Sequence, residues 1–208
     1  MTNTHHLQLP VSADDVRTLR AGDLVYLHGE IVFSAGLPTH QRMLDYLAEG
    51  KPLPIDFEGG TLFHLGSFNR AIEGGFEVLY INPTTSTRFN AYMPPLIRQL
   101  GVRLIGGKGG LDMESTRAMQ ESGCAYLSFL GGGSTLLTAA IKRVIGVVWE
   151  DMLFHYRLVK VEVAALGPLT VGIDAQGNSL YEELSLAAHA KMPEILRVLA
   201  KERERSQS

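Results

Sequence analysis

Residues 82–88 read Asn-Pro-Thr-Thr-Ser-Thr-Arg, and residues 105–110 read Ile-Gly-Gly-Lys-Gly-Gly. Each stretch follows an apolar, strand-like run, which places both in loops at strand ends. Together they gather hydroxyls, one guanidinium, one ammonium and a cluster of glycines. Those groups suit the holding of a small anion, above all a carboxylate. Arg88 can grip a carboxylate through two parallel N–H bonds, and Lys108 adds a compact point charge. Gly106, Gly107, Gly109 and Gly110 allow backbone N–H groups to turn toward an anion. Glycine-rich turns that merely connect elements are the plain alternative, and the residues alone leave both open. The lysine loop lacks the Gly-x-x-x-x-Gly-Lys-Ser/Thr spacing of a P-loop and the register of a dinucleotide fingerprint.

The chain around these loops has 208 residues, 45% of them hydrophobic and 20% charged, enough for one domain with a sizeable core. A net charge of −3 gives no general affinity for nucleic acid. No uninterrupted apolar run approaches a membrane span, and no signal-peptide pattern opens the sequence. Cys124 is the one cysteine, so no intramolecular disulfide can form, and a reducing, cytoplasmic setting is expected. One thiol cannot hold an iron–sulfur cluster, and no metal site is expected in this chain.

The elements that must position the two loops can be read along the sequence. Residues 1–10 are expected to be a disordered start, with His5 and His6 solvated. Ser12 caps a short helix to Arg20. Strand-like pieces cover residues 24–27 and 31–33, and a helix follows over 38–47. Further strands are expected at 61–65 and 76–81. Residues 88–100 read as helical, with Pro94 and Pro95 marking a kink or a late start. Strand 102–105 feeds the lysine loop, then come a helix over 113–122 and a strand over 125–130. The glycine run at 131–133 opens a helix to about Val144, as a second anion cradle or as close helix–strand packing. Strands follow at 147–150, 158–164 and 169–173. A long helix spans 181–200, with Pro193 expected to interrupt it, and residues 201–208 are expected to be a charged, solvated tail. Residues 11–200 are therefore read as one α/β domain.

Residues 82–88 resemble the Gly-Pro-Thr-Thr-Ser-x-Arg motif of the iron–sulfur hydro-lyases, and residues 105–110 resemble their Ile-Gly-Lys-Gly-Gly motif. That family comprises the class I fumarases and L(+)-tartrate dehydratases, and the likeness is to their beta subunit or C-terminal domain, over about residues 22–181. It implies a swivelling β/β/α domain of the α/β class with a mixed sheet. It implies reversible dehydration of a small 2-hydroxy (di)carboxylic acid. It implies an alpha subunit, in an alpha2-beta2 assembly, that holds a 4Fe-4S cluster. Carried over by motif, Thr84 takes the base role, Arg88 clamps a substrate carboxylate and Lys108 meets substrate or its developing charge. Thr85, Ser86, Gly107, Gly109 and His40 complete the expected substrate-binding set.

One departure stands out. Where the family carries Arg-Asp ahead of its histidine, this chain has Ser34-Ala-Gly-Leu-Pro-Thr-His40, with Gly36 and Leu37 in those places. A less charged or bulkier substrate group is expected to occupy the space so vacated. The alternative function is a carboxylate-binding or assembly module of the same fold without catalysis.

Overall fold

A computed structural model describes residues 2–206. Among the described residues there are nine strands and six α-helices. Strands β1 (Thr4–Gln8), β2 (Leu24–Phe33), β3 (Thr61–Phe63), β6 (Leu104–Gly107), β7 (Ala125–Ser128), β8 (Ile141–Val148) and β9 (Leu158–Ile173) form one mixed sheet. Strands β4 (Leu65–Ile72) and β5 (Gly75–Pro83) form a separate antiparallel pair, turned at Gly74 with φ +81°. Pairing runs parallel from β2 through β3 and β6 to β7, then antiparallel to β9, which pairs back with β2. The sheet therefore closes on itself.

Period-two alternation along the strands sorts the core into two layers. Phe63, Leu104, Ala125 and Leu127 join Val25, Phe33, Val161 and Val171 on one face. Leu62, Ile105 and Tyr126 point the other way, under Met43 of α2 (Leu37–Ala48), Leu96 and Ile97 of α3 (Met93–Leu100) and Met119 of α4 (Met113–Ser122). The helices start where the sequence caps them. Ser12 and Asp15 form a reciprocal capping box on α1 (Ala13–Arg17), and Asp112 accepts from Ser115 N–H at the start of α4. Pro94 sits in the first turn of α3, where its missing N–H costs nothing. The late start is therefore the reading that holds, after a 3-10 turn over Ser86–Phe89.

Several expectations are corrected. The N-terminal residues are not disordered: Thr4–Gln8 pairs in parallel with β2. Their polar composition hides them, because this edge strand has one apolar anchor, Leu7, and is otherwise held by hydrogen bonds. Asn3 N–H donates to Asp23 Oδ1 at 3.0 Å, and His5 Nε2 lies 3.0 Å from Asp23 Oδ2. His6 stacks on Tyr26 with centroids 5.0 Å apart. The two pieces of β2 are one strand, with a bulge near Gly29 (φ +102°) that the separate readings mistook for a break. β9 likewise continues through residues 165–168. The helix after the glycine run ends at Ala139 in α5 (Ser134–Ala139), and residues 141–148 become a strand, as their β-branched content favours. The final helix, α6 (Leu180–Ser206), passes through Pro193 and takes in the charged residues expected to form a tail. Both outcomes follow from exposure: water can satisfy the carbonyl that Pro193 leaves unpaired, and Lys, Glu and Arg are good helix formers. Met1, Gln207 and Ser208 lie outside the described residues.

Asp23 sits at the junction of β1, α1 and β2. Burial pushes its carboxyl upward, but hydrogen bonds from Asn3 N–H, His5 and Arg20 N–H outweigh this and hold it below the ordinary 3.8. Its contribution to stability is therefore full above that value and is lost as pH falls through the depressed one. Asp23→Ala is expected to lower stability by about 2 kcal/mol at neutral pH, because three donors lose a partially buried acceptor. The urea midpoint measures this, and the gap between variant and parent should narrow in acid.

Candidate functional site

Four backbone hydrogen bonds build the site. His64 N–H donates to Gly106 O at 2.7 Å, and Thr84 N–H donates to His64 O at 2.9 Å. Lys108 N–H donates to Thr84 O at 3.0 Å, and Ser86 N–H donates to Lys108 O at 2.8 Å. The two loops are thus stitched into a short parallel ladder, with Thr85 opposite Lys108, that prolongs β3 and β6. Gly107 makes this approach possible. A Cβ there would collide with Ser86 Oγ and lie 3.1 Å from Thr84 O. The role of Gly107 is close packing, while Gly109, at φ +83°, turns the chain just after Lys108.

Thr84, Thr85, Arg88 and Lys108 line one cavity of about 390 Å³. Its other walls come from Ser67, Tyr80, Asn82, Phe154 and His155, with Ala35, Gly66 and Pro83. No carboxylate lines it. Arg88 and Lys108 are both exposed, and neither has a carboxylate partner among the described residues. Two cations facing one cavity without counter-charges make an anion site. A second cavity, of about 460 Å³, is lined by Lys160 and Arg143, but their charges are already paired with Glu30 and Glu162. Of the two, the first has positive charge left to offer a ligand.

Four expected substrate-binding residues do not line the cavity: Gly107 and Gly109 shape the loop, and Ser86 and His40 lie behind it. Ser86 is fully buried beneath the loop, and its hydroxyl meets His64 Nδ1 and Tyr126 Oη, each at 2.8 Å. His64 Nε2 faces Met93 Sδ at 3.3 Å, and the ring stacks on Phe89 with centroids 4.2 Å apart. This polar file supports the loop from behind. His40 is also fully buried, with Nδ1 2.7 Å from Gly36 O, its ring 4.4 Å from Phe89 and Nε2 without a partner. Its position in α2 turns it into the helix layer, so it is a core residue. Burial lowers its pKa to about 4 against the weaker opposing pull of Gly36 O, and burial followed by the nearby His40 drives His64 well below 6.5.

The space expected at Gly36 is already filled. A Cβ on Gly36 would clash with Thr39 Oγ1 and lie 2.9 Å from Tyr156 Cβ. The 3-10 turn Phe154–Tyr156 occupies that place, and Ala35 N–H donates to His155 O at 3.2 Å. Phe154 and His155 thereby reach the cavity wall. Sequence reading passed over them, although an aromatic triplet between two strands is the kind of signal that marks a lining loop. Ser67 was missed because β4 was not recognised as a strand, and Tyr80, on a strand that was expected, because only packing decides which face of it meets the cavity.

Cys124 does not fit a cluster: it is buried in apolar surroundings that push its thiol up to about 12. Among the described residues no three His, Cys, Asp or Glu side chains gather where a metal ion could sit. Nor is any helix among them long and apolar enough to cross a membrane.

A mixed α/β sheet that closes on itself, with a cavity walled by two unpaired cations at its loop ends, defines the class of domain. More narrowly, the family model described as "Fumarase C-terminus" matches residues 2–184, and the chain belongs to that family. It is 33% identical over 183 residues to "Putative L(+)-tartrate dehydratase subunit beta" of Methanocaldococcus jannaschii, covering 88% of this chain and 93% of that one. It is 30% identical over 177 residues to "L(+)-tartrate dehydratase subunit beta" of Escherichia coli K12, covering 85% and 86%. Against "Putative fumarate hydratase class I" of Geobacillus stearothermophilus it is 30% identical over 192 residues, 89% of this chain but 35% of the longer protein.

The buried histidines make stability pH-dependent. Between pH 6.5 and about 4 the unfolded chain takes a proton at His40 that the folded chain refuses. Stability is therefore full above that window and falls as pH drops through it. His40→Gln, which cannot titrate, is expected to flatten this fall when urea midpoints are compared at the two ends of the window.

Proposed function

We propose that this chain is the beta-type subunit of a hydro-lyase that reversibly dehydrates a small 2-hydroxy acid. The observation that carries the reading is the cavity where Thr84 shares its walls with the unpaired cations Arg88 and Lys108. Membership of the family and the names of its relatives support it. The 4Fe-4S cluster belongs to a separate alpha chain, because the donor set here does not fit it, and the two assemble as alpha2-beta2.

The residues of this chain have distinct tasks. Arg88 holds one substrate carboxylate through its planar fork, and Lys108 neutralises charge near the same end. Thr84 accepts the proton from the carbon beside the hydroxyl-bearing one; the C–H electron pair forms the double bond as the C–O bond breaks, and the cluster held by the alpha chain would supply the Lewis acid that takes up the hydroxide. A threonine oxygen serves as base only if its anion is stabilised, which the two adjacent cations favour. Thr85 fixes the loop by its backbone pairing with Lys108. The far walls offer Phe154, His155 and Tyr80 rather than a second arginine. A substrate with one fixed carboxylate and a neutral or imidazole-binding far end fits best. Gly36, with no room for a side chain, is the one observation favouring the alternative of a carboxylate-binding module without turnover.

Anaerobic co-expression with the alpha chain, followed by a screen of 2-hydroxy acids, separates the two readings. Turnover by the pair and none by this chain alone is expected. Thr84→Ala, Arg88→Ala and Lys108→Ala should each lower kcat by about 10²-fold or more with the fold intact. Arg88→Lys should not restore it. Ligand binding without turnover by the cluster-loaded pair would establish the module instead, and near-parental rates in all three variants would remove the site.

A further inference from the structure

Residues 149–157, which join β8 to β9, are held by side chains rather than by a ladder. Arg157 donates from Nε to Met152 O and from Nη2 to Glu150 O, each at 3.2 Å. Asn69 Nδ2 donates to Phe154 O at 2.9 Å, Ser34 Oγ donates to Tyr156 O at 3.0 Å, and Thr39 Oγ1 donates to the same oxygen. Asn69, Ser34 and Thr39 are all buried. A loop fixed at so many carbonyls presents its side chains in one arrangement. To the cavity it presents Phe154 and His155. The His155 ring is half-buried, with the Phe154 and Tyr156 centroids 5.0 and 4.2 Å away, and its nitrogens make no hydrogen bond to any described residue. Phe154 packs edge-on against Phe68, 4.8 Å between centroids, and Phe68 pairs across the hairpin with Tyr80. This wall therefore lies up the hairpin from the ladder that carries Thr84 and Lys108.

No cation reaches that wall. Arg157 spends its remaining N–H on Asn69 Oδ1, Arg42 is paired with Asp151, and neither lines the cavity. Arg88 and Lys108 both stand at the ladder end. Removing a proton beside a carboxylate pushes the electron pair into that carboxylate, so the same end gains a second negative charge as the reaction proceeds, and the two cations answer it there. None is left for a second carboxylate. We infer that the substrate is a 2,3-dihydroxy monocarboxylate with an uncharged, hydroxylated tail, and that His155 selects it by hydrogen bonding to that tail while Phe154 and Tyr80 cover its carbon chain. This rests on the hydro-lyase reading of the same cavity. The step balances. Thr84 takes the proton on C2, the C2–H pair becomes the C2=C3 bond, and the C3–O bond breaks with loss of hydroxide. The enol then gains a proton at C3 as its C2 hydroxyl loses one, which gives a 2-oxo acid with no oxidant or reductant. Asn69 is a positioning residue, acting through the turn that carries Phe154 and His155.

Calorimetric titration of the full chain tests this with acids that differ at one end. L-threonate and L(+)-tartrate share their first three carbons and differ in carrying CH2OH or a carboxylate at the fourth; erythronate and meso-tartrate do the same in the other configuration. In the configuration that binds, the monocarboxylate should bind about tenfold or more tighter than the dicarboxylate. His155→Arg should reverse the order, and His155→Phe should weaken the monocarboxylate. Asn69→Ala should lower the affinity for that acid relative to lactate, which has no tail for the turn to meet, whereas a folding fault would weaken both alike. A dicarboxylate bound as tightly as its counterpart, an order that His155→Arg leaves unchanged, binding that survives Arg88→Ala, or no binding of any of the four acids overturns the inference. Turnover by the cluster-loaded complex with the alpha chain is read separately. Dehydration of the selected monocarboxylate to a 2-oxo acid supports both the selection and the reaction. The same acid bound selectively but never dehydrated removes the hydro-lyase reading and leaves the selection at His155 standing.

Discussion

The structure depends on one close contact, that between Gly107 and Ser86. No side chain fits between the loops there, so the backbones of residues 84–86 and 106–108 come within hydrogen-bonding reach and share a ladder. That ladder places Thr84, Thr85 and Lys108 at the cavity wall. Thr84 and Lys108 are sequence-distant but backbone-neighboured, and no flexible side chain sets their relation. A site fixed by the main chain is held more tightly than one fixed by rotamers, which suits groups that must meet one small ligand together.

Two kinds of polar group surround this contact. Behind the loop lie His64, Ser86 and Tyr126, desolvated, neutral and matched donor to acceptor. In front lie Arg88 and Lys108, exposed, charged and unmatched by any carboxylate. The rear group gains nothing from a ligand because its hydrogen bonds are made. The front group has charge that only something from outside can balance. Burial therefore separates support from recognition within a few residues of chain.

Much of this was legible in the sequence, for reasons that can be named. The motif loops were readable because glycine, hydroxyl and cation types cluster at strand ends, and the start of α1 because Ser12 caps it. Short apolar runs at 102–105 and 125–130, buried on both faces, marked the central strands. What failed was whatever tertiary contacts decide. β1 has no apolar period, and its order comes from Asp23, twenty residues away in the chain from Asn3. Ser86 and His40 are chemically able residues whose direction, inward rather than toward the cavity, only packing determines. Gly36 looked like a vacancy because sequence cannot show that Tyr156 arrives there from the other end of the chain.

The root of α6 has one more bearing. A Cβ at Gly110 would lie 2.5 Å from the Tyr181 ring, and one at Gly172 would lie 2.8 Å from it. The ring is wedged between the end of the lysine loop and strand β9. The root of the projecting helix is thus seated two residues from Lys108, and a residue larger than glycine at position 110 or 172 would unseat the helix and the lysine loop together.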